Sequence, residues 1–178
     1  MLIPQNSHII LDTCVLIKAS EYSSTPYFDR LFEGLADKHC IPVITDFIRF
    51  EFMRGCKKKE HSEVKKNYLD SFVFMDLPFV YEIIKDATLI ANLYANKNIN
   101  NNQISLIDLC NSAFLKKHSE NLFLITLDNN DYPVCLHDRV DIQTIDTQKE
   151  ILTFGVYKFN MNKFNTLNRY LGNHNFIN

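Results

Sequence analysis

The segment Leu122-Phe123-Leu124-Ile125-Thr126-Leu127 carries a single polar side chain and then meets an acid, Asp128. A strand with one wet face alternates apolar and polar residues, so a run without alternation implies a strand buried on both faces. Ile9-Ile10-Leu11, closed by Asp12, repeats the pattern on a shorter scale. Ile41-Pro42-Val43-Ile44, with Pro42 near its start, and Phe72 to Met75 add two more short strands, and Ile142 to Ile145 is a further candidate.

Helical signals fall between these runs. A helix starts after Asp12-Thr13, and Pro26 suits the first turn of another, with Tyr27, Phe28, Leu31, Phe32 and Leu35 at helical spacing. Thr45 or Asp46 caps a helix to about Cys56, a charged helix covers Glu60 to Leu69, and Pro78 opens one to about Ala95. Lys97 to Asn102 reads as a polar loop before a helix from near Ile104 to Lys117. Strands alternating with helices imply right-handed crossovers and a parallel sheet, hence an α/β fold. From about Ile151 the pattern changes. Ile151 to Phe159 is β-like, and an asparagine-rich stretch follows with Phe164, Leu167 and Leu171 at helical spacing. The expectation is a domain over residues 1–146 and an extension over 147–178, packed on the domain or on a partner.

The chain of 178 residues fits one domain with a proper core. No apolar run approaches the ~20 residues that span a bilayer, and Met1 to Asn6 lacks a signal-peptide pattern, so no membrane role is expected. Five dispersed cysteines suit reduced thiols and a cytoplasmic setting. Cys135-Leu136-His137 has no second ligand pair, which favours a loop cysteine and a surface histidine over zinc. Nineteen basic and 21 acidic residues give a net charge of −2, yet Arg49, Arg54, Lys57, Lys58, Lys59, Lys65 and Lys66 cluster along one stretch. That cluster is either a solvated helix end or a positive flank for phosphates.

Four acids interrupt apolar sequence: Asp12, Glu51, Asp108 and Asp128. A lone buried carboxylate costs several kcal/mol unless paired, protonated or bound to metal, and Mg²⁺ or Mn²⁺ is the simplest shared partner. Each has a bland alternative. Asp12 also suits a helix N-cap, Asp108 the wet face of an amphipathic helix, and Asp128-Asn129-Asn130-Asp131 a turn before Pro133. Glu51 has Arg54 as a salt-bridge partner, but Phe47, Ile48, Phe50, Phe52 and Met53 make its helix apolar nearly all round and hence largely buried.

The joint order of these acids resembles the PIN-domain nucleases, including the VapC-like toxin ribonucleases. The residues that carry the resemblance are Leu11-Asp12-Thr13-Cys14-Val15-Leu16-Ile17, Phe50-Glu51-Phe52-Met53-Arg54-Gly55, Ser105-Leu106-Ile107-Asp108-Leu109 and Ile125-Thr126-Leu127-Asp128-Asn129-Asn130-Asp131-Tyr132. It covers roughly the first 135–145 residues, about one domain. One departure is that the second acid of the last motif, Asp131, comes a residue late. The resemblance implies a three-layer α/β/α domain, with a short central parallel sheet and helices on both faces.

The implied activity is metal-dependent hydrolysis of RNA. Asp12, Asp108 and Asp128, with Asp131 as a further candidate, would hold Mg²⁺ or Mn²⁺. Glu51 would complete the catalytic set, and Thr13 and Thr126 would orient carboxylates. Arg54, Lys57, Lys58 and Lys59 are candidate contacts to RNA phosphates. Partners implied are RNA and, in the toxin reading, a small antitoxin protein. A homodimer through aromatic faces around Tyr27-Phe28 or Phe164-Tyr170 is a further expectation. Competing readings are an RNA-processing nuclease without antitoxin and a non-catalytic RNA-binding or scaffolding module. An aspartyl phosphatase would want an acid where Cys14 stands.

Overall fold

The computed structural model describes residues 2–56, 58–75, 80–97 and 104–172, with side chains to Arg169. Lys57, Pro78, the loop beyond Lys97 and the side chains of Tyr170 and Leu171, all named above, lie outside the described residues. Six strands form one sheet: β1 (His8–Leu11), β2 (Ile41–Thr45), β3 (Val73–Met75), β4 (Leu122–Thr126), β5 (His137–Asp146) and β6 (Ile151–Phe159), in the order β3-β2-β1-β4-β6-β5. The helices are α1 (Thr13–Glu21), α2 (Asp29–Ala36, after a 3₁₀ turn at Pro26–Phe28), α3 (Asp46–Arg54), α4 (Lys59–Leu69), α5 (Val80–Asn96), α6 (Leu106–Lys117) and α7 (Met161–Gly172). They cover both faces of the sheet, giving three α/β/α layers.

The sheet is parallel from β3 through β2 and β1 to β4, as strand–helix alternation requires. Its unalternating strands are its driest: every residue of β4 is buried, and Ile9, Ile10 and Leu11 of β1 have no exposure. Burying each such side chain is worth roughly 1.5–3 kcal/mol. The apolar stripe of α5, with Ile83, Ala87, Ile90 and Leu93 at the spacing of one helical face, is buried, and α5 packs chiefly on α6, which in turn packs on β4.

Beyond β4 the sheet turns antiparallel, which the α/β alternation does not foresee. No helix separates β5 from β6, and so short a connection can only return the chain antiparallel. The segment set apart as an extension thus supplies β6, an interior strand hydrogen-bonded to β4 on one side and β5 on the other. A boundary after residue 146 falls between two paired neighbours of the same sheet.

Of the aromatic residues suggested for dimerisation, Phe28 and Phe164 belong to the core, at 4% and 5% exposure. Helix α3 departs the other way. Its Ile48 and Phe52 are buried, but Phe50 is 65% exposed, so it is a surface helix with one inward stripe and not an enclosed one.

Candidate active site

Strand order reverses at β1, whose neighbours β2 and β4 lead away in opposite directions, and ligands of open parallel sheets collect beyond the strand ends at such a point. Asp12 is the first residue beyond β1, and its backbone N–H donates to the Ile125 carbonyl at 3.1 Å, extending the ladder to β4. The register pairs Leu11 with Ile125, which brings Asp12 level with Thr126. The Thr126 hydroxyl donates to Asp12 Oδ2 at 2.6 Å, and the Asp128 N–H donates to Thr126 Oγ1 at 2.9 Å. One buried threonine therefore holds two of the acids.

The helices bring the others. Asp12 caps α1, accepting from the Thr13 N–H at 2.7 Å, so its capping role coexists with its place in the cleft. The Thr13 hydroxyl donates to Glu51 Oε2 on α3 at 2.6 Å, and α3 packs against both α1 and α6. On α6, Ser105 is the N-cap and Asp108 stands in the first turn; the Ser105 hydroxyl accepts from the Asp108 N–H at 3.2 Å and donates to Asp108 Oδ2 at 2.5 Å. The buried Tyr132 hydroxyl donates to Asp108 Oδ1 at 3.2 Å. The expected wet face of α6 is dry, because Asn111 and Ser112 have no exposure.

Asp12, Glu51, Asp108 and Asp128 share the wall of one cleft of about 400 Å³, together with Thr13, Cys14, Arg54, Lys65 and Ser105. Burial pushes the Asp12 carboxyl up to about 7 against the pull of Thr126, with Asp108 and Asp128 adding repulsion. Burial likewise raises Asp108 to about 6, Ser105 and Tyr132 acting against it and Asp131 and Asp128 with it. Both acids stand at helix N-termini, where the dipole favours negative charge, and desolvation still wins. Among the described residues no lysine, arginine or histidine is within ion-pair distance of Asp12, Asp108 or Asp128. Only Glu51 has such a neighbour, Arg54 at 3.9 Å.

The remaining candidates separate by position. Asp131 is not on the cleft wall, though its charge reaches Asp108. Lys58 and Lys59 are exposed and off the wall, Lys59 lying 3.9 Å from Glu63. Lys65 is on it. Its ammonium donates to the Phe52 carbonyl at 2.5 Å and sits 4.5 Å from the Phe52 ring centre.

Sequence reasoning passed over Lys65, Cys14, Ser105 and Tyr132 as site residues. The Ser105-x-x-Asp108 spacing of a capping box carries Ser105, whereas nothing local marks Tyr132, which reaches Asp108 only through the fold. Ligand atoms of Asp12, Cys14 and Asp128 lie within 4.8 Å of one another. The Cys14 thiol contacts Asp12 Oδ2 at 3.5 Å and accepts from the Leu127 N–H at 3.2 Å, and burial beside Asp12 drives its pKa upward. It is thus a neutral thiol, a poor nucleophile and a poor soft ligand, while the oxygens around it suit a hard cation. His137 is no surface residue either; it is fully buried and pushed down to about 3, with Nε2 3.3 Å from the Ser112 hydroxyl.

No family model matches the chain, and no curated protein matches it. Among solved structures it is similar to the crystal structure of VapBC2 from Rickettsia felis bound to a DNA fragment from their promoter. The identity is 21% and the TM-score 0.48, over 66% of this chain and 96% of that one. Among the described residues no helix is long and apolar enough to cross a membrane.

Proposed function

We propose that this protein is a ribonuclease that hydrolyses RNA phosphodiester bonds with Mg²⁺ or Mn²⁺ held by Asp12, Asp108 and Asp128, Glu51 completing the site. The observation that carries the reading is a cleft gathering four carboxylates, of which Asp12, Asp108 and Asp128 have no cationic side chain within ion-pair distance among the described residues. Desolvation of Asp12 and Asp108 and the repulsion among their charges and that of Asp128 are a standing cost, which a divalent cation relieves. The donor set is oxygen-rich and fits such an ion, which when bound supplies an acidified water and stabilises charge on the phosphate.

The chain's own groups prepare the site. Thr126 and the Thr13 N–H fix both oxygens of Asp12, and Ser105 and Tyr132 fix those of Asp108, so neither carboxylate must reorganise to bind. Thr13 orients Glu51 for proton transfer at the cleft wall. Arg54 and Lys65 offer positive charge to the sugar–phosphate backbone, positioning it without reading sequence. The acid order that resembles toxin ribonucleases supports a toxin's place in a type II toxin–antitoxin pair. Growth arrest on expression, lost in Asp12→Ala, tests that setting.

The direct test is cleavage of end-labelled single-stranded and structured RNA with Mg²⁺ or Mn²⁺, by wild type and Asp12→Asn. Products are expected only from wild type with metal. Undiminished cleavage in excess EDTA, or by Asp12→Asn, overturns the proposal.

A further inference from the structure

Arg54 belongs to the walls of two hollows. One is the acidic cleft; the other, of about 500 Å³, lies between α3, α4 and β3. The second is mostly apolar. Phe50 of α3 and Phe74 of β3 line it at 65% and 38% exposure, with Met53 and Leu69. Arg49 lies over the Phe74 ring, 5.3 Å from its centre. Arg49, Arg54 and Lys66 stand around the rim with Asp46 and Asp70, Arg49 lying 4.0 Å from Asp46 and Arg54 3.9 Å from Glu51 of the adjoining cleft.

Phe50 of α3 stands outward beside Arg49 and Arg54. Aromatic faces bordered by guanidinium groups are the elements of single-strand binding, in which each base stacks on a ring and the cations follow the backbone. Continuity through Arg54 places this surface one side chain from the carboxylates.

Resting on the nuclease reading of that cleft, we propose that the second hollow is a nucleobase subsite. It takes one unstacked base of a single-stranded nucleic acid on Phe50 and Phe74, while a flanking phosphate meets Arg54 on the way to the acidic cleft. The subsite accepts any base, because every base offers a π-face.

The chain contains no tryptophan, so Phe50→Trp introduces a single indole whose fluorescence reports stacking at the proposed surface. Titration in EDTA with a short single-stranded RNA is expected to quench it saturably. The same strand abasic at one position is expected to bind on the order of tenfold more weakly and to quench less. By anisotropy, Phe50→Ala is expected to lose on the order of tenfold in affinity, with Phe50→Trp close to wild type. Absence of quenching with unchanged affinity in Phe50→Ala overturns the subsite, and metal-dependent RNA cleavage that needs Asp12 then still leaves the nuclease reading standing. Quenching by an RNA that wild type never cuts in Mg²⁺ or Mn²⁺ keeps the subsite and removes the nuclease. A dimer by sedimentation that Phe50→Ala dissociates, or quenching by an amphipathic peptide and not by RNA, overturns the subsite in favour of a protein partner.

Discussion

Asp12→Asn should make the metal-free protein more stable at neutral pH while removing its activity. Asp12 is buried and its carboxyl is raised from 3.8 to about 7. The folded state therefore binds a proton that the unfolded chain has released, and stability falls as pH rises between those values. At about 1.4 kcal/mol per unit, the charged carboxylate costs roughly 4 kcal/mol above its folded pKa, and that cost is nearly absent below the unfolded one. Asparagine keeps the shape without the charge, but its single oxygen can accept from Thr126 or from the Thr13 N–H and not from both. Some of the gain is lost to its new amide hydrogens, whose partners Asp12 did not need. The advantage of the variant over wild type should accordingly grow by up to about 4 kcal/mol between about pH 4 and pH 8, or on the order of ten degrees in Tm for a chain this size. Urea denaturation of both proteins in EDTA across that range measures the difference directly. An advantage that is flat with pH, or that grows towards acid, refutes the claim that a desolvated carboxylate is the source.

Three further outcomes follow from neighbouring contacts. Mn²⁺ should raise the Tm of wild type more at about pH 8 than at pH 5, because Asp12 and Asp108 must release protons to bind it; in scanning calorimetry the increment should vanish in Asp12→Asn and reverse with chelator. Tyr132→Phe removes the phenol held to Asp108 and should cost roughly 1–2 kcal/mol by chemical denaturation. The same change should lower Mn²⁺ affinity by about 10- to 100-fold in titration calorimetry, whereas a purely structural role would leave affinity intact. Gly155→Ala drives a methyl into Asn129 Oδ1 and the Tyr157 ring, so a stability lowered by about 1–3 kcal/mol in denaturant unfolding is expected, and an unchanged stability refutes the packing there.

Buried parallel strands were the most legible part of the chain, because Ile9 to Leu11 and Leu122 to Ile125 tolerate water on neither face. Capping was legible too. Thr45 accepts from the Ile48 N–H at 3.3 Å, and Asp12 heads α1. The direction of β6 was hidden, since parallel and antiparallel strands share one local pattern and the difference lies in connection length. Burial of α3 was misjudged at Phe50, where composition was read without asking which face meets the sheet. The acids, Thr13 and Thr126 stand out by chain order and Lys65 only as a member of the basic run, whereas Tyr132 meets Asp108 through tertiary placement that no local spacing records.

The late position of β6 in the chain has a consequence for biosynthesis. Thr126, the hydroxyl that grips Asp12, stands opposite Gly155 in the β4–β6 pairing. As the polypeptide leaves the ribosome, β4 has only β1 as a paired strand, and β5 has none, until β6 has emerged. A nascent chain halted before that point keeps an open sheet edge behind its acidic groups. The last strand to be synthesised is the one that pairs with the residue gripping Asp12.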